Sequence, residues 1–318
     1  MKKILTLILA LSMTCAALSG CSSNSTAPTD NSAVSGSTVH SAVQSETPTQ
    51  DTPAYTETTT ELGIGTMQVY DFGDVKLHAY KTNDAIDDEC FLIESANELV
   101  ALEAPGFKDT IVEFRAYIDS LGKPLNNVLL AYHPAGAETL SDSANYIATA
   151  GAEAAQQEGG SVKGLIDGFV ESFGDSYDGT IPTVTEVVEP GTLTIDGVDY
   201  VITEGLDGFD VAISTINCVF AHMVGADVHN IMPSIEATDA LAAQMQSYID
   251  ADYTLILSSH YVPETIEAAH TKLAYAQKIK ELAESCDNAE DFIAAVNAEF
   301  PDYAGGNYLE MTAGGLYQ

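Results

Sequence analysis

From Met67 to Ala104 the chain has no room for a helix. The stretches "MQVYDFG" and "VKLHAYK" flank a turn at Gly73-Asp74. "CFLIES" and "LVALEA" follow, joined through Ala96-Asn97-Glu98. Consecutive strands with joints this short must pair antiparallel, so folding starts from a sheet. Strand alternation puts Val75, Leu77 and Ala79 on one face and Lys76, His78 and Tyr80 on the other, more polar one. His78 is therefore read as a structural or solvated residue.

The period then changes. "KDTIVEFRAYIDSLG" places Ile111, Phe114, Ile118 and Leu121 at helical spacing, and Gly122 with Pro124 ends the helix. "NVLLAYH" reads as the next strand, and a helical region is expected from about Ala144 to Phe173. Strands return at "TVTEVVE", "LTIDGVDYVITEG", "DVAIST" and "CVFAHMVG". A helix over "IEATDALAAQMQSYID" follows, with Ser234 as its cap. "TLILSSH" is a last strand, and Pro263 is expected to open a long helix carrying His270. Two halves that each run from antiparallel strands into helix and strand predict the α/β (α+β) class. The architecture is an αββα sandwich, two mixed sheets packed face to face with helices outside.

Four stretches of this chain resemble the metallo-β-lactamase superfamily, and the resemblance covers roughly residues 65 to 318. "ECFLIESANELVALEAPGF" is similar to the hairpin that ends in a carboxylate and glycine before the first helix. "NVLLAYHPAGAETLSDSANYIA" stands where that superfamily has its HxHxDH loop. "CVFAHMVGADVHNI" and "TLILSSHYVPET" stand where it delivers a bridging aspartate and a last histidine. The resemblance implies a crevice between the sheets that holds two metal ions. It puts His133 at the first ligand position, His260 at the final one and Asp227 at the bridge.

The remaining positions are degraded. Ala135 and Ala137 replace the second histidine and the aspartate of the motif, and Glu138 replaces its last histidine. The middle position, around Gly205 to Gly208, has no histidine. Each implied site keeps two ligands, whereas catalytic zinc needs three protein ligands and a water. The expectation is a pseudoenzyme that binds a small molecule or protein in the old crevice, with no catalytic residue and no metal cofactor. The alternative is an active metallo-hydrolase holding a single zinc through His133, Asp227, His229 and His260, with Glu138 beside them. His222, on a strand face with Phe220 and Val224, is read as packed. A second alternative, a solute-binding lipoprotein, would open with strand–helix units rather than with four strands.

Location is read from the amino terminus. "MKKILTLILALSMTCAALSGC" has a basic start and a short apolar stretch, and "LSGC" resembles the bacterial lipoprotein cleavage box. Residues 1–20 are read as a signal peptide and Cys21 as the lipid attachment site. Residues 21–61 are read as a Ser/Thr/Pro-rich tether containing His40, and 62–318 as the folded domain. The expected partner is thus a membrane, through the lipid, on its extracytoplasmic face. A net charge of -36 opposes binding to nucleic acid, which calls for a basic face. Of the remaining cysteines, Cys90, Cys218 and Cys286, at most two can form one disulfide, and small buried apolar roles are expected.

Overall fold

The computed structural model describes residues 54–205 and 208–317. The signal, Cys21, His40 and the tether as far as Pro53 lie outside the described residues. Strand β1 (Thr56–Glu61) pairs antiparallel with β2 (Thr66–Asp71), from Thr56 opposite Asp71 to Glu61 opposite Thr66. The folded domain thus begins no later than Thr56, inside the segment assigned to the tether. All six β1 side chains are exposed, so the backbone ladder holds this edge, helped by the Thr66 hydroxyl donating to Glu61 at 3.1 Å. Threonines suit an extended backbone but leave no apolar alternation to read.

Strands β3 (Lys76–Lys81), β4 (Glu89–Glu94) and β5 (Leu99–Leu102) continue the antiparallel meander. Helix α1 (Lys108–Ser120) buries Ile111, Phe114 and Ile118. Phe114 stacks on Tyr80 with ring centroids 5.0 Å apart. The face of β3 read as polar is therefore covered by α1. His78 is buried there, its ring nitrogens 2.6 Å from the Tyr117 hydroxyl and 3.0 Å from Glu94.

Strand β6 (Leu125–Leu129) lies parallel to β5. After the single turn of α2 (Ala137–Leu140) comes β7 (Asn145–Thr149), parallel to β6. This corrects the helix expected from Ala144. "NYIAT" is a short apolar run, which periodicity alone cannot assign. Burial of Tyr146, Ile147 and Ala148 beside β6 decides for strand. Helices α3 (Ala150–Gln156) and α4 (Ser161–Phe173) follow. Strand β8 (Glu186–Val188), parallel to β7, then completes an eight-stranded sheet ordered β1 to β8 among the described residues.

The second sheet starts with β9 (Gly191–Ile195), β10 (Val198–Glu204), β11 (Phe209–Ile213) and β12 (Cys218–Phe220), all antiparallel. Helix α5 (Ile235–Ala251) is capped as expected by Ser234, whose hydroxyl accepts from the Ala237 N–H at 3.2 Å. It returns the chain to β13 (Leu255–Ser258), parallel to β12, and β14 (Tyr261–Glu264) closes the six-stranded order β14-β13-β12-β11-β10-β9. Pro263 thus sits in an edge strand and not at a helix start. At an edge its missing N–H need cost no ladder bond. The last helices are α6 (Glu267–Ser285), α7 (Ala289–Glu299) and α8 (Gly306–Leu316), with His270 exposed on α6.

Alternation assigns the layers. Cys218, Phe220, Leu255 and Leu257 join the core between the sheets, with Phe91 and Phe220 edge to face at 6.0 Å. Val219 and Ile256, one residue out of phase, pack beneath α5 to α8. The result is the expected helix–sheet–sheet–helix sandwich. The three cysteines are free, Cys90 and Cys218 buried and Cys286 half-buried.

Candidate metal centre

Three strands end in histidine at one edge of the sandwich. His133 lies four residues beyond β6, while His222 and His260 each lie two residues beyond the paired parallel strands β12 and β13. The carboxyl ends of parallel strands are where layered α/β folds place ligands. The Nε2 of His222 is 3.2 Å from the Nε2 of His133 and 3.3 Å from that of His260. Ring centroids are 4.9 to 5.2 Å apart within the trio. Among the described residues, this is the one group of three or more His, Cys, Asp or Glu side chains whose ligand atoms converge.

Two buried carboxylates stand behind the rings. Glu103 follows β5 with φ +68°, a conformation that costs a non-glycine residue about 1–3 kcal/mol and persists only where surroundings impose it. Here its Oε1 accepts from the backbone N–H of Tyr132 (2.5 Å) and of His133 (2.9 Å). Its Oε2 accepts from the Ser259 hydroxyl at 2.8 Å and lies 3.2 Å from His133 Nδ1. Asp88, just before β4, is 1% exposed, and its Oδ1 lies 3.7 Å from His133 Nδ1 and 3.6 Å from His260 Nδ1. Tyr132 stacks on His222 with centroids 3.6 Å apart.

The electrostatics follow. Burial would lower the pKa of His133, but the Glu103 and Asp88 carboxylates outweigh it and push it up to about 9. Burial, then repulsion from His133, takes His260 down to about 3 and His222 well below the ordinary range. Burial raises Asp88 to about 7, against the attraction of His133. Burial would raise Glu103 too, but His133 and the hydrogen bonds it accepts hold it below its usual value.

No protein-family model and no curated protein sequence matches the chain. Solved structures do. The stereoselective inverting sec-alkylsulfatase Pisa1 from Pseudomonas sp. aligns with TM-score 0.52 at 14% identity, over 76% of this chain and 48% of that one. A metallo-β-lactamase family protein from Thermus thermophilus aligns with TM-score 0.51 at 11% identity, over 76% of this chain and 91% of its own. The chain has the metallo-β-lactamase fold. It spans about half the length of the alkylsulfatase.

On this metallo-β-lactamase frame, His133 and His260 come together across one crevice, and His222 stands between them. The strand end matched to the bridging aspartate delivers His222, whereas Asp227 lies five residues further on and is exposed. The Asp227 backbone carbonyl accepts from the Ala304 N–H at 3.0 Å. His229 is buried elsewhere, with Nδ1 3.0 Å from the Tyr275 hydroxyl. Glu138 is exposed on α2, and Ala135 and Ala137 are buried. Neither Asp227, His229 nor Glu138 joins the converging trio. At Gly208 a side chain is excluded, since a Cβ there would meet the Ala131 carbonyl oxygen at 2.1 Å.

His222 was missed because its neighbours on the strand are apolar. Yet "LLAYH", "CVFAH" and "LILSSH" repeat one signal, an apolar strand that runs out into histidine. Glu103 carried the matching hint, a lone acid at the end of "LVAL".

The trio could hold one metal ion, its ligand atoms all lying within 4.8 Å of one another. Nitrogens bound at 2.0–2.1 Å in a tetrahedron lie about 3.3–3.4 Å apart, and His222 Nε2 is 3.2 and 3.3 Å from the other two. An acid behind a histidine's Nδ1 fixes the tautomer that turns Nε2 outward as a ligand. Glu103, 3.2 Å from His133 Nδ1, is placed to do so, whereas Asp88 Oδ1 lies 3.6 Å from His260 Nδ1, beyond hydrogen-bond distance.

Proposed function

We propose that this chain is a single-metal hydrolase of the metallo-β-lactamase fold, with His133, His222 and His260 as the ligands. The observation that carries this reading is the convergence of three imidazole nitrogens with carboxylates behind two of them. It favours the single-metal alternative over the pseudoenzyme, because the ligand count behind the latter gave neither site a third donor. Zinc in such a three-histidine site supplies a Lewis acid and a water acidified to near neutral pH. The residues of the chain do the rest. Glu103 holds His133 in place through ring and backbone at once. Asp88 sits beside the outer nitrogens of His133 and His260. Side-chain exposures of 14% and 19% leave His133 and His260 open to solvent on one side.

The location belongs to the same proposal. "LSGC" and the tether composition support a domain held by lipid at Cys21 on the extracytoplasmic face of a membrane. The net charge of -36 supports partners other than nucleic acid.

The test is turnover of a panel of sulfate ester, phosphodiester, thioester and β-lactam substrates by zinc-loaded protein. Zinc-dependent hydrolysis of at least one class is expected, lost at least about 100-fold in His222→Ala and kept in Asp227→Ala. Stoichiometric zinc without turnover of any class would return the chain to the pseudoenzyme reading.

A further inference from the structure

The three histidines differ in what stands behind them. His133 Nδ1 has Glu103 at 3.2 Å, and His260 Nδ1 has Asp88 at 3.6 Å. His222 Nδ1 is buried and meets no hydrogen-bond partner among the described residues. With Nε2 turned to the other two rings, that Nδ1 is the proton-bearing nitrogen, a donor in need of an acceptor. A buried donor left unpaired costs about 1–3 kcal/mol, so the surroundings of His222 must hold what answers it.

His222 lines a cavity of about 90 Å³ between the ends of β11 and β12 and the start of α5. Asn230 lines it as well. The Asn230 Nδ2 donates to the Met223 carbonyl at 2.7 Å, which fixes the amide, but its Oδ1 is buried without a partner. Of the residues around this cavity, His222 carries an unanswered donor and Asn230 an unanswered acceptor. Asp210 and Gln244 add polar wall, and Leu241 and Met232 the apolar remainder. A buried water needs a polar site with two or more partners and at least about 10–15 Å³ of space, which this cavity provides.

The geometry points to a water-binding site in this cavity: water accepts from His222 Nδ1 and donates to Asn230 Oδ1. It stands behind His222 as Glu103 stands behind His133. The inference rests on the reading of His222 as a metal ligand. The cavity and its two unanswered atoms are independent of that reading.

Two measurements test it. A high-resolution crystal structure of the zinc-soaked protein should show ordered water within hydrogen-bond distance of both His222 Nδ1 and Asn230 Oδ1. A dry cavity, or a side chain filling it, would overturn the inference. In the second arm, Ala237→Leu fills the cavity from α5, and zinc affinity is read by chelator competition beside thermal stability. Displacing an outer partner of a ligand costs about 10–100-fold in metal affinity, so a loss of about tenfold without a lower Tm is expected. A raised Tm with unchanged zinc affinity would mark the cavity as a packing defect and refute the site. Should the variant fail to fold, the crystal structure decides alone. Should the parent protein take up no zinc, the proposed function fails, while the water still stands or falls on the density.

Discussion

Two histidine neighbourhoods in this chain, one half-buried and one buried, look alike in sequence and differ in what they can do. In the first, His133, His222 and His260 turn ring nitrogens toward one another. In the second, His229 turns Nδ1 to the Tyr275 hydroxyl at 3.0 Å, between the rings of Tyr275 and Tyr303. Lys272 is fully buried beside it, bonded to the Val228 carbonyl with its ammonium 4.7 Å from the centre of the Tyr275 ring. Burial and the Lys272 charge both lower the His229 pKa. A metal ion there would meet a like charge and a nitrogen already engaged. Burial of a histidine therefore says little. Ring nitrogens that converge on one another mark the candidate metal centre, whereas a hydroxyl partner and a cation mark a structural residue.

The largest expected effect separates the two neighbourhoods outright. His222→Ala should lower zinc affinity by at least about 100-fold, since even outer partners of ligands are worth about 10–100-fold. His229→Ala should leave affinity unchanged and lower stability by about 2–3 kcal/mol through its lost hydrogen bond and packing. Chelator competition and urea denaturation read the two outcomes. A loss of zinc in His229→Ala would erase the distinction.

Next comes the acid behind the trio. Glu103→Gln keeps an acceptor for the Tyr132 and His133 N–H groups but removes the charge facing His133 Nδ1. Zinc affinity should fall about tenfold. An unchanged affinity would show that Glu103 serves the loop alone.

The Lys272 neighbourhood gives a stability signature in place of a metal one. Burial brings the Lys272 pKa down to about 7, against the attraction of Glu264 and Asp227. Between pH 7 and the ordinary lysine value the unfolded chain holds the extra proton, so this group makes stability rise with pH across that window. The rise should be on the order of a few kcal/mol, and Lys272→Met should remove it. Urea midpoints from pH 6 to pH 9 for both proteins provide the check, and parallel curves would contradict it. The smallest effects belong to Asp227→Asn and Glu138→Gln, both exposed, which should change zinc affinity less than about twofold.

Much of this was legible beforehand, for reasons that can be named. The meander from Met67 to Ala104 could be read because its joints are too short for anything but antiparallel pairing. The layers could be read because two halves repeat the order of antiparallel strands, helix and strand; in the structure, alternation in "CVF" and "LIL" feeds two cores at once. Strand β1 was illegible because none of its side chains is buried. Strand β7 was illegible because five apolar-rich residues fit helix and strand alike. At the site, His133 and His260 were found as strand-end histidines. His222 satisfies the same rule, but its apolar strand neighbours Phe220 and Val224 make it read as packed. Strand pairing shows that it stands at the end of β12 beside β13.

The central claim is that this chain builds a one-metal centre from His133, His222 and His260. Metal analysis of the purified protein, loaded with zinc and dialysed extensively, tests it most directly. About one zinc per chain is expected, falling to near zero in His222→Ala and staying near one in His229→Ala. Well under one zinc in the parent protein, or a full equivalent retained by His222→Ala, would contradict the account.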